Sequence, residues 1–410
     1  MTPHSAGALL SSITPASRDE PDSGIMAAVN HGIGRPGVIP LWSGEGNVPT
    51  PEAFCRPAIE SLLRGETFYT WQRGIPPLRE ALARYHTRHY GRVFEAETFF
   101  VTGGGMQAIQ TILQMIAAAG DEIILPTPAW PNYAGPMRLA GARPVEVALD
   151  FANGRWHLDL DRLFAAITPR SKAIVLNSPS NPVGWTASLD ELKAVRDECR
   201  KRGLWIVGDE VYARFYYGAK GETRAPSFLD ICDTEERLLL ANTFSKNWAM
   251  TGWRVGWLQA PKAVGPAIER IIQYNTSGTA AFLQQGCAVA LDEGEDHRRA
   301  GGEGALQSRS RGRRLAPASA DPLRAAQGRL LYVLRARRHD GLARHHFSHY
   351  RRGRHRPGAR RHLRTGWRGI FAHVFPARSR EARRSDGPLR HMAENIEAGL
   401  IHNSAGANGD

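Results

Sequence analysis

Long apolar runs are missing from this chain. No stretch reaches the ~18 consecutive apolar residues that cross a bilayer, so a membrane-embedded protein is not expected. Cysteine is scarce: Cys55, Cys199, Cys232 and Cys287 are scattered, with no CxxC pair and no disulfide-like spacing. That excludes a disulfide scaffold and favours a reducing, cytoplasmic setting. No metal site is expected. The opening residues have no basic start followed by an apolar stretch, so a secretory leader is not expected. MTPHSAGALLSSITPASRDEPDSG has the composition of a loose polar lead-in with room for a weak helix.

Lysine is absent from one whole region. From His297 to Pro388 there are 24 Arg, 5 acidic residues and no Lys, while the full chain carries a formal charge of +13. All the net basicity therefore lies in that tract, and the remainder is mildly acidic. A basic nucleic-acid-binding body is not supported.

What is present is a 410-residue chain, 42% hydrophobic and 23% charged. That composition suits a soluble globular protein of two or three domains. PEAFCRPAIESLLRG, PPLREALARYHTRHYG, MQAIQTILQMIAAAG and DELKAVRDECRKRG have apolar residues at helical spacing. ETFFVTGGG, EIILPTP, KAIVLNSP, LWIVGDEVY and RLLLANTFS are short apolar strand-like runs. Strands alternating with helices predict an α/β fold with a mostly parallel sheet, whose ligands gather beyond the carboxyl ends of the strands.

Chemistry-bearing residues fall at those ends. In ANTFSKNWAMTGWRVGW, Lys246 follows a strand and can condense with an aldehyde if a buried, cationic setting lowers its pKa. Thr243, Ser245 and Arg254 around it could cradle a phosphate. Asp209 ends the strand of GDEVY, where a buried carboxylate needs a cationic partner, and Tyr212 follows three residues on. Asn181 lies in NSPSNPVGW. Gly104, Gly105 and Met106 in VTGGGMQA could offer backbone N–H groups to an anion at a helix start. Trp130 in PTPAWPNYAGP could stack on a flat ring. Singly, each has an ordinary reading: surface lysine, helix cap, core tyrosine or tryptophan, Asn-Pro turn, glycine turn.

Together, YTWQRGIPPLRE, VTGGGMQA, SPSNPVG, GDEVY and FSK with an arginine eight residues later resemble the class I/II pyridoxal-phosphate-dependent aminotransferases of fold type I, aspartate aminotransferase-like. The resemblance runs from about Leu41 to Asp296. It implies a large cofactor-binding domain over 51–290, a smaller C-terminal α/β domain over 291–410 and an N-terminal arm over 1–50. It implies that Lys246 carries pyridoxal 5'-phosphate as a Schiff base and shuttles the proton. Asp209 is then the partner of the pyridine nitrogen, and Asn181 and Tyr212 contact the phenolate. Gly104, Gly105, Met106, Thr243, Ser245 and Arg254 form the phosphate cup. Tyr69 would reach the phosphate of a neighbouring subunit in a homodimer with shared active sites. Gly44 in LWSGEGN, with Asn181, would meet the substrate. The activity implied is amino-group transfer between an amino acid and a 2-oxo acid, with a role in amino acid metabolism and biosynthesis. A cofactor-dependent carbon–sulfur lyase and a non-catalytic relative are the alternatives.

The chain departs from that family at its end. A segment resembling PG…FG…GEG…R, whose arginine would fork onto the substrate carboxylate, is absent as printed. Back-translation of Tyr350 to Phe375, read one nucleotide later, can spell it. Residues 297–388 are therefore read as a frameshift, with the carboxylate arginine in the codon of Ala372, in preference to a genuine basic arm. If the printed tract stands, the small domain is disrupted and an inactive relative is expected.

Overall fold

The computed structural model describes residues 6–21, 24–35, 44–45, 48–218, 222–300, 331–334 and 370–373. Three helices, α1 (Ala6–Ser12), α2 (Pro15–Asp19) and α3 (Gly24–Gly32), occupy most of the described lead-in, which is more regular than its polar composition implied. Local chemistry explains α2: Thr14 caps it by accepting the Ser17 N–H at 3.3 Å, and Pro15 stands at the first turn, where its missing donor costs nothing. Just beyond, Glu20 accepts a two-pronged contact from Arg138 at 2.8 and 2.5 Å, tying the arm to the body.

The body runs α4 (Glu52–Leu63), α5 (Pro76–Tyr90), β1 (Phe99–Thr102), α6 (Gly105–Ile116), β2 (Glu122–Thr127), α7 (Ala134–Leu139) and β3 (Arg143–Ala148). A small hairpin, β4 (Asp150–Ala152) with β5 (Arg155–His157), leads to α8 (Leu160–Ala165), β6 (Ser171–Asn177), α9 (Leu189–Arg202) and β7 (Trp205–Asp209). Then come β8 (Leu238–Thr243), α10 (Phe244–Asn247), β9 (Gly256–Gln259), α11 (Gly265–Asn275) and α12 (Ala281–Ala300). The predicted helices stand where their signals are. Pro76 opens α5 and left-handed Gly91 closes it. A reciprocal Ser188–Glu191 capping box starts α9, and left-handed Gly203 ends it.

Seven strands form one sheet in the order β1-β9-β8-β7-β6-β2-β3. The ladders β8/β7, β7/β6, β6/β2 and β2/β3 are parallel, and β9 runs antiparallel to both β8 and β1. The expected mostly parallel α/β sheet is therefore present. The apolar strands bury both faces, as alternation within each demands. Phe99, Ile124, Ile174, Leu176, Ile206 and Leu240 face a layer built from α4, α5, α9 and α12. Phe100, Ile123, Val175, Val207, Leu239 and Leu258 face α6, α7 and α11. Each such side chain contributes about 1.5–3 kcal/mol by leaving water.

The sequence reading has no counterpart for β3 or β9. β3 is an edge strand, half of its residues exposed, and it is interrupted by Arg143, Pro144 and Glu146, so it carries no apolar run. β9 is four residues long and begins on a glycine. Beyond α12, two further four-residue strands pair antiparallel, β10 (Leu331–Leu334) with β11 (Ile370–His373), inside the tract where no strand period was read. The rest of the proposed small domain and of the 297–388 tract lies outside the described residues, so the frameshift reading does too. Among the described residues, no helix is long and apolar enough to cross a membrane.

Candidate active site

Strand register gathers the site. Asn177 pairs with Asp209, Asp209 with Ala241, and both Thr102 and Thr243 with Gly256, so the carboxyl ends of β1, β6, β7 and β8 share one edge of the sheet. The segments that leave those ends carry most of the predicted residues.

Beyond β1 the chain turns through Gly104, at φ 90°, into α6, which no side chain caps. Gly105 and Met106 lie in its first turn, where backbone N–H groups lack helical acceptors and favour an anion. A Cβ on Gly104 would stand 2.5 Å from Arg254 Nη2, so glycine is required for that approach. Arg254 itself has a left-handed backbone, φ 54°, a conformation uncommon outside glycine. Its guanidinium donates to Ser245 Oγ at 3.4 Å and to the Thr251 carbonyl at 2.8 Å. Thr243 Oγ1 accepts the Ser245 N–H at 3.1 Å and donates toward Ser245 Oγ at 2.9 Å. Two hydroxyls, a guanidinium and a helix start thus converge.

Gly256 is a functional position the sequence reading missed. A Cβ there would lie 2.6 Å from the Asn242 carbonyl oxygen and 2.9 Å from the Gly105 nitrogen. Only glycine lets β9 run close under the start of α6. The signal was in hand, in the WRVGW string that supplied Arg254.

Lys246, on α10, is largely buried. Its Nζ donates to the Gly44 carbonyl at 2.6 Å and lies 5.9 Å from the centre of the Tyr212 ring. Burial, then the charge of Arg254, lowers its pKa to about 8, while Glu45 and Asp209 pull the other way. Asp209 is buried at the end of β7. Its Oδ2 accepts from the Tyr133 hydroxyl at 2.6 Å and its Oδ1 from the Val211 N–H at 3.2 Å. Burial raises its pKa, and these two donors oppose the rise. Tyr212, in the same turn, is buried against Phe215, and burial pushes its phenol up.

Asn181 is 8% exposed; its backbone N–H donates to Asn177 Oδ1 at 2.6 Å, and its own Oδ1 is buried with no hydrogen-bond partner among the described residues. A buried amide oxygen with unspent accepting capacity is unusual and calls for a donor. Trp130 is half-buried and meets Tyr133 edge-on, centroids 5.8 Å apart. Asn132 in the same loop donates to Met106 Sδ at 3.9 Å, linking that loop to the start of α6. Tyr133 and Glu45 were not singled out from sequence. Tyr133 is three residues past Trp130 in PTPAWPNYAGP, and Glu45 adjoins Gly44. Tyr69 is 93% exposed, between α4 and α5, with its side chain in solvent.

The family profile described as aminotransferase class I and II matches residues 36–318. The chain belongs to the class I and II aminotransferase family. It is 33% identical over 253 residues to an aspartate aminotransferase of Geobacillus stearothermophilus, covering 62% of this chain and 64% of that protein. It is 33% identical over 255 residues to the arginine–pyruvate transaminase of Pseudomonas aeruginosa, with the same coverage. The matched region thus spans about 64% of the length of these curated relatives. Among solved structures, the Thermus thermophilus aspartate aminotransferase with maleate superposes with a TM-score of 0.67 at 32% identity, over 75% of this chain and 79% of that one. The fold is therefore that of fold-type I aminotransferases.

Members of this family use pyridoxal phosphate. The cluster offers each part of that molecule a chemical complement. An uncapped helix start with hydroxyls and Arg254 suits a phosphate. A buried carboxylate suits a cationic ring nitrogen, an amine of lowered pKa suits an aldehyde, and the Asn181 side-chain N–H group can donate to a ring oxygen.

Proposed function

We propose that this chain transfers an amino group between an amino acid and a 2-oxo acid with pyridoxal phosphate held at Lys246. The observation that carries the reading is the buried Lys246 amine, lowered to about 8, beside Arg254 and within one cluster with Asp209. Bound there, the cofactor supplies an electron sink for the bond-breaking at the substrate α-carbon.

The chain's own residues do the rest. At neutral pH an amine standing near 8 has a far larger free-base fraction than an ordinary lysine, so Lys246 Nζ can take a proton from an α-carbon and return it elsewhere. Asp209 balances a cationic ring nitrogen. Asn181 and Tyr212 hold the ring oxygen, and Trp130 covers a ring face. Gly104, Gly105, Met106, Thr243, Ser245 and Arg254 bind the phosphate. Gly44, with Asn181, receives the substrate.

The finer assignments are part of the same proposal. Residues 51–290 form the cofactor-binding domain, 1–50 an arm and 291–410 a small domain, in a cytoplasmic biosynthetic enzyme. Phe68, Tyr69 and Trp71 are 84%, 93% and 64% exposed within four residues, an aromatic surface suited to a second copy of the chain in a homodimer. The frameshift reading of 297–388 belongs here as well, supported by its Arg-rich, Lys-free composition.

The test is capture of pyridoxal phosphate by the full chain, with borohydride fixing the label before peptide mapping. Label on Lys246, loss of the cofactor's visible band in Lys246→Ala, and turnover that needs an added 2-oxo acid are expected. Label elsewhere would sink the site assignment, and turnover without an acceptor would favour the lyase.

A further inference from the structure

Among the described residues, the Asp209 carboxylate takes hydrogen bonds from two donors, one on each oxygen: the Val211 N–H at 3.2 Å and the Tyr133 hydroxyl at 2.6 Å. The first comes from the local turn. The second comes from a different part of the fold, at the start of α7, and is the shorter contact. Tyr133 is 1% exposed, its ring packed in the same layer as Leu125 and Met137 and edge-on to Trp130. A buried hydroxyl must spend its proton somewhere, and here it is spent on Asp209 Oδ2.

We propose that Tyr133 is the positioning residue for Asp209, fixing its Oδ2 and keeping the buried carboxylate ionised toward the cofactor ring. This rests on the role given above to Asp209. The physical case is a balance. Burial disfavours the carboxylate form, and with no donor on Oδ2 the group would neutralise instead of opposing a cation. The groups that face Asp209 electrostatically are Tyr133, the Tyr212 phenol in its own turn and the Lys246 amine from α10. Of these, Tyr133 donates a hydrogen bond to it. The same ring abuts Trp130, so one side chain sets both the carboxylate and the proposed stacking partner in register.

Tyr133→Phe removes the hydroxyl and leaves the buried ring, so the layer around Met137 should persist. In the full-length apoprotein with carboxyl-labelled aspartate, the Asp209 carbon resonance, assigned by its loss in Asp209→Asn, should titrate at higher pH in the variant. A hydrogen bond to a charged group of this kind corresponds to a roughly ten- to hundredfold change. Pyridoxal phosphate should bind the variant about ten- to hundredfold more weakly near neutral pH. The gap should close as pH rises and Asp209 ionises in both proteins. In the Asp209→Asn background, the added loss of the hydroxyl should change affinity little. An unchanged Asp209 midpoint, a loss equal at every pH, or a loss fully additive with Asp209→Asn would each overturn the proposal. A wild-type chain that binds no pyridoxal phosphate would defeat the functional reading instead, and the Asp209 midpoint would then decide the Tyr133 contact alone.

Discussion

Replacing Lys246 by methionine should stabilise the folded apoprotein while destroying its capture of the cofactor. The ammonium stands at about 8 instead of 10.5 because burial, and then the Arg254 charge, disfavour it. A tenfold change in a protonation constant is worth ~1.4 kcal/mol. The charged lysine therefore costs the folded state roughly 3 kcal/mol below about pH 8. Because the folded value is the lower one, the unfolded chain holds the extra proton between about 8 and 10.5, and wild-type stability rises with pH across that window. Methionine carries no charge, so it escapes the cost, but it gives up the 2.6 Å bond to the Gly44 carbonyl, worth about 1 kcal/mol. The net gain expected near neutral pH is about 2 kcal/mol, vanishing toward the ordinary lysine value. Urea unfolding of both apoproteins, with the denaturant slope unchanged, reads it directly. A variant no more stable at neutral pH, or an advantage that persists undiminished in alkali, would refute the claim that this charge is held against burial.

How much of this was legible in the sequence depends on what kind of signal each residue leaves. Asp209, Lys246 and Asn181 follow apolar runs, and such runs announce strand ends, so the sheet edge could be assembled before any contact was known. Gly104 was legible as a turn, yet the reason for it, the approach of Arg254, is a contact between segments about 150 residues apart in sequence. Gly256 and Tyr133 were opaque for the same reason: their worth lies in what another strand or loop brings against them. β9 and β3 escaped because a short strand that opens on a glycine and ends on a glutamine, and an edge strand broken by charges, carry no apolar run. The helices of the lead-in were underestimated because Thr14 and Pro15 provide capping that composition alone does not weigh. The reading of the Arg-rich tract rests on residue usage and codon freedom, which lie outside what packing can address.

Gly104→Ala would drive a methyl to 2.5 Å from Arg254 Nη2 at a backbone angle that disfavours any side chain. Affinity for pyridoxal phosphate should fall about tenfold or more while that for pyridoxal, which lacks the phosphate, changes little; equal losses for both would remove Arg254 from the phosphate cup. Far from the site, Glu122 is fully buried and accepts from Arg143 at 2.5 Å, Thr168 at 2.7 Å and Arg170 at 2.5 Å. The Arg143 bond, then Thr168, holds it at about 2, below the ordinary 4.5. Its contribution is therefore complete above about 4.5 and lost as pH falls through about 2. Both arginines are more than half exposed, so water already weakens the pairs. Glu122→Gln should then cost roughly 1–2 kcal/mol near neutral pH, since an amide can still accept one donor but leaves the others facing no charge. The deficit should shrink in acid as the wild-type carboxylate protonates. A deficit in urea midpoint that stays constant down to about pH 2 would mean that packing, and not the charge of Glu122, fixes this corner of the sheet.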